Sequence, residues 1–233
     1  MIMQTTTPLV SCIMPTANRE KFIPLAIKYF QRQDYPNKEL VVLDDGNKPV
    51  KHLLPDDAAI RYEKLNSVAL STGAKRNLAC EMSKGEIIVN WDDDDWYAGN
   101  WISHQVSVLQ SGNFEISGLA SIYFYNPVLA KCWKYIYPQN EKPWVAGASM
   151  AYYKEFWKRH PYKNVKIGED NMFVWDSKAR VAAHSYIEGV VAMVHAQNTS
   201  PKHTNNARWN PVPLAVIDNV LKEDKSVYVS GLL

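Results

Sequence analysis

Four consecutive carboxylates, Asp92, Asp93, Asp94 and Asp95, stand directly after an apolar run in the stretch GEIIVNWDDDDWY, residues 85–97. Glu86, Ile87, Ile88 and Val89 follow Gly85 and read as a strand. A buried strand of this kind delivers the carboxylates to one edge of the core, where their mutual repulsion must be compensated. Two readings compete. A solvated acidic turn is what most charge runs are. A hard divalent cation with oxygen ligands is the other, and it suits a site that also holds phosphates. Trp91 and Trp96 favour the cation, because a free acidic loop rarely carries an aromatic at each end.

The chain before this stretch supplies a frame for it. Residues 9–14 (LVSCIM), closed by Pro15, read as a first strand, and Thr16, Ala17, Asn18 and Arg19 as a polar turn. A helix over about 20–33 follows, with Phe22, Leu25, Ala26, Tyr29 and Phe30 on one face. Residues 39–43 (ELVVL) form the second strand and empty into Asp44, Asp45, Gly46 and Asn47. This is a βαβ unit, hence parallel pairing with a right-handed crossover. A weaker strand covers 60–64, and a helix spans about 71–83 with Ala74, Leu78, Ala79 and Met82 on its apolar face. Lys75 and Arg76 sit in its first turn, where cations oppose the helix dipole. Either an anion shares that site, or both side chains are solvated. Three strands thus end in polar turns at one edge, and in an open α/β sheet ligands bind at the carboxyl ends of the strands. Neither GxGxxG nor GxxxxGK[ST] occurs, so a dinucleotide fold and a P-loop are not indicated.

The second part has a different character. A helix is expected over about 100–110, then a hairpin of strands 116–125 and 129–137 around Asn126 and Pro127. Residues 144–153 (WVAGASMAYY) are rich in small side chains, with Gly147 permitting close approach. Gly168, Glu169, Asp170 and Asn171 open a helix toward Lys178, where two first-turn carboxylates also make an ordinary dipole-favoured start. A strand returns at 187–194, followed by His195. The remainder is polar and Pro-rich, with a short helix near 214–221, and reads as a tail or lid.

Composition excludes more than it selects. At 46% hydrophobic and 21% charged residues, the chain is expected to fold as a soluble globular protein of one domain. A net charge of +2 gives no general case for nucleic-acid binding. The three cysteines, Cys12, Cys80 and Cys132, lack metal spacing and are expected to be buried thiols in a cytoplasmic protein. No apolar run reaches the ~18 residues of a membrane span, and the start has no basic leader, so neither an integral nor a secreted protein is expected. The 8 Trp and 13 Tyr supply either ring-stacking platforms or core filler.

The ordered series IMPTANR, ELVVLDDGN, GAKRNLA, GEIIVNWDDDDW and GEDNMF resembles the family 2 glycosyltransferases of GT-A fold over about residues 9–195. The resemblance implies an α/β Rossmann-like mixed sheet in a single domain. It implies a nucleotide-sugar-binding half (1–112), an acceptor-binding and catalytic half (113–200) and a C-terminal tail or lid (201–233). It also implies a nucleotide-diphospho-sugar donor, a UDP-sugar by preference, a divalent Mn²⁺ or Mg²⁺, and inversion at the anomeric carbon. Pro15 and Thr16 match the first nucleotide-binding loop, Asp45 or Asp44 the carboxylate that reads the base, and Asn66 a further donor contact. Arg76 matches the donor-contacting arginine. Asp92 and Asp94 match the DxD pair, with Asp93 and Asp95 leaving its register open by one residue. Asp170 matches the catalytic base with Glu169 beside it, and His195 stands where some members place another metal ligand. Trp144 and Trp157 are the expected ring-stacking residues of the acceptor site.

The chemistry asks for the same division of labour. Charge builds on the departing diphosphate and a cation neutralises it. The acceptor hydroxyl is a poor nucleophile, so a separate carboxylate removes its proton. Ala17 departs from the aromatic often found in the first loop, Asn90 and Trp91 replace apolar residues before the DxD, and there is no QxxRW, so single addition to a glycan or glycolipid is expected rather than processive synthesis. A lipid acceptor would be met peripherally at a membrane. The other readings are transfer to a modified base in DNA, helped by Lys202, His203, Arg208 and Trp209, a nucleotidyltransferase, and a binding module without turnover.

Overall fold

In the computed structural model, which describes residues 7–66, 70–138 and 142–228, the first strand, β1, is Val10–Thr16. Cys12 and Met14 enter one core and Ile13 a second. The alternation repeats in β2 (Lys38–Asp44), where Leu40 and Val42 face the first core and Val41 and Leu43 the second. It repeats again after β3 (Ile60–Lys64), in β4 (Ile87–Asn90), with Ile87 and Val89 on one side and Ile88 on the other. A parallel sheet that is apolar on both faces needs cover on both. Helix α1 (Ile23–Gln31) supplies Ile23, Ala26, Ile27 and Phe30 to the first core, and α2 (Thr72–Met82) supplies Ala79 and Cys80 to the second.

Pro15 was expected to close the first strand, yet β1 runs through it to Thr16, in register with Asp44. Ile13 O accepts from Trp91 N on the β4 side, so Pro15, two residues on, faces that side too. The β1–β4 ladder has already ended at Ile13 and Asn90, and the missing N–H of proline costs nothing there.

The chain continues through β5 (Trp96–Tyr97), α3 (Trp101–Gln110), β6 (Ile116–Leu119), β7 (Ser121–Asn126), β8 (Lys131–Ile136), β9 (Ala151–Tyr153), α4 (Lys154–Arg159), α5 (Glu169–Ser177), β10 (Val181–His184), β11 (Val190–Met193), β12 (Trp209–Pro211), α6 (Leu214–Leu221) and a short α7 (Lys225–Val227). Seven strands form one mixed sheet in the order β10-β6-β9-β4-β1-β2-β3, with β9 antiparallel to both its neighbours. Five form a second sheet, β12-β8-β7-β11-β5. The strand expected over 116–125 therefore breaks at Ala120. β6 joins the large sheet and β7 crosses to the small one, where it pairs with β8 as the expected hairpin.

Sequence reading missed α4 and β10. Their segments are short, and only Phe156 and Trp157 in α4 and Ala182 in β10 are buried hydrophobics. Trp157 was expected on the acceptor side. It lies instead in the second core at 6% exposure, with its Nε1 donating to Asn77 Oδ1 at 2.9 Å. The C-terminal stretch is pinned to the body of the molecule at Asp224 and Tyr228. Asp224 is paired with Lys28 of α1 and with Arg32, which caps that helix, accepts from Trp96 Nε1 at 2.9 Å, and precedes Tyr228, whose hydroxyl meets Tyr29 at 2.8 Å. Among the described residues no helix is long and apolar enough to cross a membrane.

Candidate active site

Strand β1 has β2 on one side and β4 on the other, so the connections from β1 to β2 and onward to β4 diverge between β1 and β4. Such a switch point leaves a crevice at the carboxyl edge. A cleft of about 840 Å³ opens there, lined by Pro15, Thr16 and Arg19 after β1, Asp45 after β2, Lys75 and Arg76 on α2, and all four carboxylates after β4. Its far wall carries Gly147, Asp170 and the segment from Gln197 to His203. The volume is in the range of small-molecule sites.

The acidic run is not a solvated turn. Trp91 is fully buried and stacks on Tyr97 at 4.0 Å, while Tyr97 Oη accepts from Asp92 N at 2.8 Å. Trp91 and Trp96 thus anchor both ends of the loop in the first core, leaving the carboxylates between them at the cleft. Each carboxylate has a different environment. Asp93 accepts from Thr16 Oγ1 at 2.6 Å and from Arg19 at 2.8 Å; burial pushes it up to about 7, with Arg19 opposing. Asp95 accepts from Met193 N at 2.9 Å and is held well above the usual carboxylate range by burial and by the charges of Asp94 and Asp92. Asp92 is the most open, its side chain 32% exposed, with Arg76 at 3.5 Å. Asp94 behaves oppositely to its neighbours. Burial works to raise it, but the His195 hydrogen bond and the Arg19 charge hold it below the ordinary range.

Three donors converge on Asp94 Oδ2: Arg19 at 2.6 Å, His195 Nε2 at 2.9 Å and Asn198 Nδ2 at 3.4 Å. His195 Nδ1 accepts from Gln197 N at 3.1 Å, which assigns the ring proton to Nε2 and aims it at Asp94. In this arrangement His195 Nε2 meets Asp94 and orients the carboxylate. Among the described residues no three carboxylate, imidazole or thiolate groups close on one point. Asp94 and the half-buried Asp92 could hold a divalent cation of the kind bound by one or two carboxylates and completed by substrate phosphates.

Asp44 and Asp45 separate clearly. Asp44 is fully buried, accepting from Gly46 N at 2.8 Å and Tyr62 Oη at 2.8 Å, and it builds the turn rather than the cleft. Asp45 lines the cleft, paired with Lys75 at 2.8 Å and accepting from Leu70 N at 3.1 Å. Asn66 is exposed, next to the undescribed residues 67–69, and is not among the lining residues. Arg76 is buried with its NH1 3.0 Å from Glu169 Oε1, so neither member of the basic pair is solvated. Glu169 is 5% exposed and raised by burial, with Arg76 opposing, while Asp170 stands beside it on the cleft wall in the first turn of α5.

Trp144 lies on the cleft with Phe124, Tyr135 and Trp209, which the sequence did not single out as a group. Tyr135 packs 5.5 Å from Trp144 and 5.2 Å from Trp209, and Phe124 4.5 Å from Trp209. Lys202, His203 and Trp209, read as part of a separate nucleic-acid patch, belong to this same cleft, with Lys202 Nζ 5.6 Å over Phe124. Arg19 was read only as a turn residue. The available signal was the charge balance: four carboxylates at a strand end ask for a fixed cation among the flanking turns.

A profile described as glycosyl transferase family 2 matches residues 11–184. A putative colanic acid biosynthesis glycosyl transferase, WcaA of Escherichia coli K12, is 30% identical over 72% of this chain and 57% of its own length. The E. coli UDP-Glc:α-D-GlcNAc-diphosphoundecaprenol β-1,3-glucosyltransferase WfgD is 32% identical over 53% of this chain and 56% of its own. The chain therefore spans little more than half the length of these two relatives. Among solved structures, Staphylococcus aureus TarS in complex with UDP-GlcNAc superposes with a TM-score of 0.63 at 17% identity, over 96% of this chain and 67% of that one. The mannosyltransferase PcManGT of Pyrobaculum calidifontis, in complex with GDP-Man and Mn²⁺, gives 0.62 at 16% identity, over 84% and 59%.

Proposed function

The chain belongs to glycosyl transferase family 2 and has the GT-A fold, and from that premise we propose that it transfers one sugar, with inversion, from a nucleoside-diphosphate donor to an acceptor hydroxyl. The observation that carries this reading is the presence of two separate carboxylate sites, Asp92 with Asp94 after β4 and Asp170 on α5, along one cleft. One faces the leaving group and the other the nucleophile.

In the proposed reaction the donor's nucleoside lies against Pro15, Thr16 and Asp45, within the half formed by residues 1–112. Asp94 and Asp92 hold the divalent cation, which when bound supplies Lewis-acid neutralisation of the diphosphate. Arg76, already poised between Asp92 and Glu169, adds a fixed positive charge near it. Asp170 accepts the proton of the acceptor hydroxyl as its oxygen bonds to the anomeric carbon. The bond from that carbon to the phosphate oxygen breaks on the other face, and its electron pair leaves with the nucleoside diphosphate. Glu169 holds the Arg76 guanidinium in place from the first turn of α5. The acceptor rests on Phe124, Tyr135, Trp144 and Trp209, faces suited to sugar rings. A UDP-sugar donor and a lipid-linked glycan acceptor, met peripherally at a membrane, agree with the UDP-GlcNAc bound to TarS and the acceptor named for WfgD.

Nucleoside diphosphate release from a panel of nucleotide sugars, with Mn²⁺, Mg²⁺ or chelator, tests the reading. One donor is expected to be hydrolysed slowly and only with metal. Failure to bind or hydrolyse any donor, together with no calorimetric binding of UDP or GDP, would sink it.

Asp170 also has a neighbour that must stay small. A Cβ on Gly147 would overlap Asp170 Oδ2 and approach its Cβ and Cγ to 2.9 Å. Gly147→Ala is expected to displace the base and lower turnover about 100-fold, the cost of an ångström-scale misplacement. UDP binding measured in parallel should be unchanged; normal turnover would count against Asp170 as the base.

A further inference from the structure

Arg19 NH1 bridges Asp93 Oδ1 at 2.8 Å and Asp94 Oδ2 at 2.6 Å. Its other terminal nitrogen, NH2, holds the opposite wall, donating to Gln197 O at 2.7 Å and Thr199 Oγ1 at 3.3 Å. The side chain is only 13% exposed. Its position also leaves it close to His195: Phe22 packs 4.7 Å from the His195 ring, and Arg19 Cζ lies 6.0 Å from the Phe22 centroid. A guanidinium is planar and rigid, so NH1 cannot leave Asp94 without moving NH2. A shift of NH1 at the carboxylate would disturb the contacts at Gln197 O and Thr199 Oγ1, in a segment that itself lines the cleft.

A divalent cation at Asp94 Oδ2 would compete with, and repel, the Arg19 guanidinium that now holds the same oxygen. We propose that Arg19 is the site's internal counter-cation: it neutralises Asp94 in the metal-free chain, yields that oxygen when a divalent cation arrives, and thereby couples metal loading to release of the 197–199 wall. Asp93 keeps its hold on Arg19 through the exchange, so the arginine swings about a retained anchor rather than leaving for solvent. Arg19 is a positioning residue in this scheme, and the scheme rests on the metal-dependent reading given above. The device also accounts for the divided environments of the acidic run. Asp93, tied to Thr16 and Arg19, serves as the anchor, and Asp94 as the oxygen that changes partner.

The test uses Mn²⁺ alone, without donor. Mn²⁺ affinity is measured by calorimetry or electron paramagnetic resonance for the wild type, Arg19→Gln and Arg19→Lys, and hydrogen exchange is followed at 197–199. Arg19→Gln is expected to bind Mn²⁺ about tenfold more tightly, because a competing positive charge is gone. Mn²⁺ should raise exchange at 197–199 in the wild type, whereas in Arg19→Gln exchange should be high with or without metal. Arg19→Lys, which keeps the charge but not the two-handed fork, should bind Mn²⁺ like the wild type yet lose the coupling. Equal Mn²⁺ affinity in wild type and Arg19→Gln, or a 197–199 segment that ignores Mn²⁺ in the wild type, would overturn the role of Arg19 and leave the metal site standing. If none of the proteins binds Mn²⁺, either alone or in the presence of UDP, while UDP itself still binds, the metal reading fails and takes this proposal with it. The wild-type exchange experiment stands alone should Arg19→Gln not fold.

Discussion

Asp170→Asn is expected to reduce transfer by about 10³-fold while leaving UDP binding within twofold of wild type, in line with the ~10²–10⁴-fold contribution of a positioned base. The substitution is nearly isosteric. Asp170 Oδ1 accepts from Asn171 N at 2.8 Å, a bond that an amide oxygen can also make, so the first turn of α5 is preserved. What disappears is the ability to take a proton. Glu169 cannot step in without abandoning Arg76, whose buried guanidinium lies 3.0 Å from it. Leaving such a charge unpaired is costly. The measurement is kcat for transfer beside a calorimetric titration with UDP. Wild-type turnover in Asp170→Asn would remove the base from the scheme and, with it, the division of labour between the two carboxylate sites.

Asp94→Asn should abolish Mn²⁺ binding and lower turnover by about 10³-fold, the several kcal/mol that a Lewis acid contributes to a departing phosphate. The same change weakens the contacts of Arg19 and His195 at Oδ2, and it should cost about 1–3 kcal/mol of stability as their donors lose a charged partner. Asp95→Asn is the internal control for register. Burial and its acidic neighbours keep the Asp95 carboxyl far above its usual range, and its one bond, from Met193 N at 2.9 Å, is open to an amide oxygen. Turnover of Asp95→Asn should therefore stay near wild type. A loss in Asp95→Asn equal to that in Asp94→Asn would shift the metal-binding pair by one residue.

Much of the scaffold was legible because its signals are local. β3 and α6 occupy the expected residues 60–64 and 214–221, and α1, α2, α3 and α5 lie within the segments read for them; β1 runs two residues past its expected end to Thr16, β2 gains Lys38 and Asp44 at its ends, and β4 is shifted by one residue to Ile87–Asn90. Binary patterning and turn residues suffice for such elements. What could not be read depends on partners far away in sequence. Nothing in SIYFYN says that it leaves the sheet of ISGL one residue earlier; that choice is made by β11, which pairs with β7 from beyond residue 190. Trp157 and Trp144 look alike as aromatics and both are buried in a core, and only tertiary packing brings Trp144 alone to the cleft as well. Arg19 escaped notice for the converse reason: a charged residue in a turn is ordinary until the carboxylates it meets, some seventy-odd positions on, are known to converge on it.

The antiparallel strand β9 has a consequence for how this chain comes to be folded at all. It lies between β4 and β6 and, among the described residues, is the strand that joins the later strands of the large sheet to the earlier ones. A polypeptide emerging from the ribosome as far as α3 has already made β4 but cannot yet cover its outer side. Ile87, Ile88 and Val89 then form a naked apolar edge, the kind of template on which strands of other molecules grow. Only synthesis through Tyr153 closes that edge. A segment expressed only as far as α3 is therefore expected to keep that edge unpaired and to associate through it.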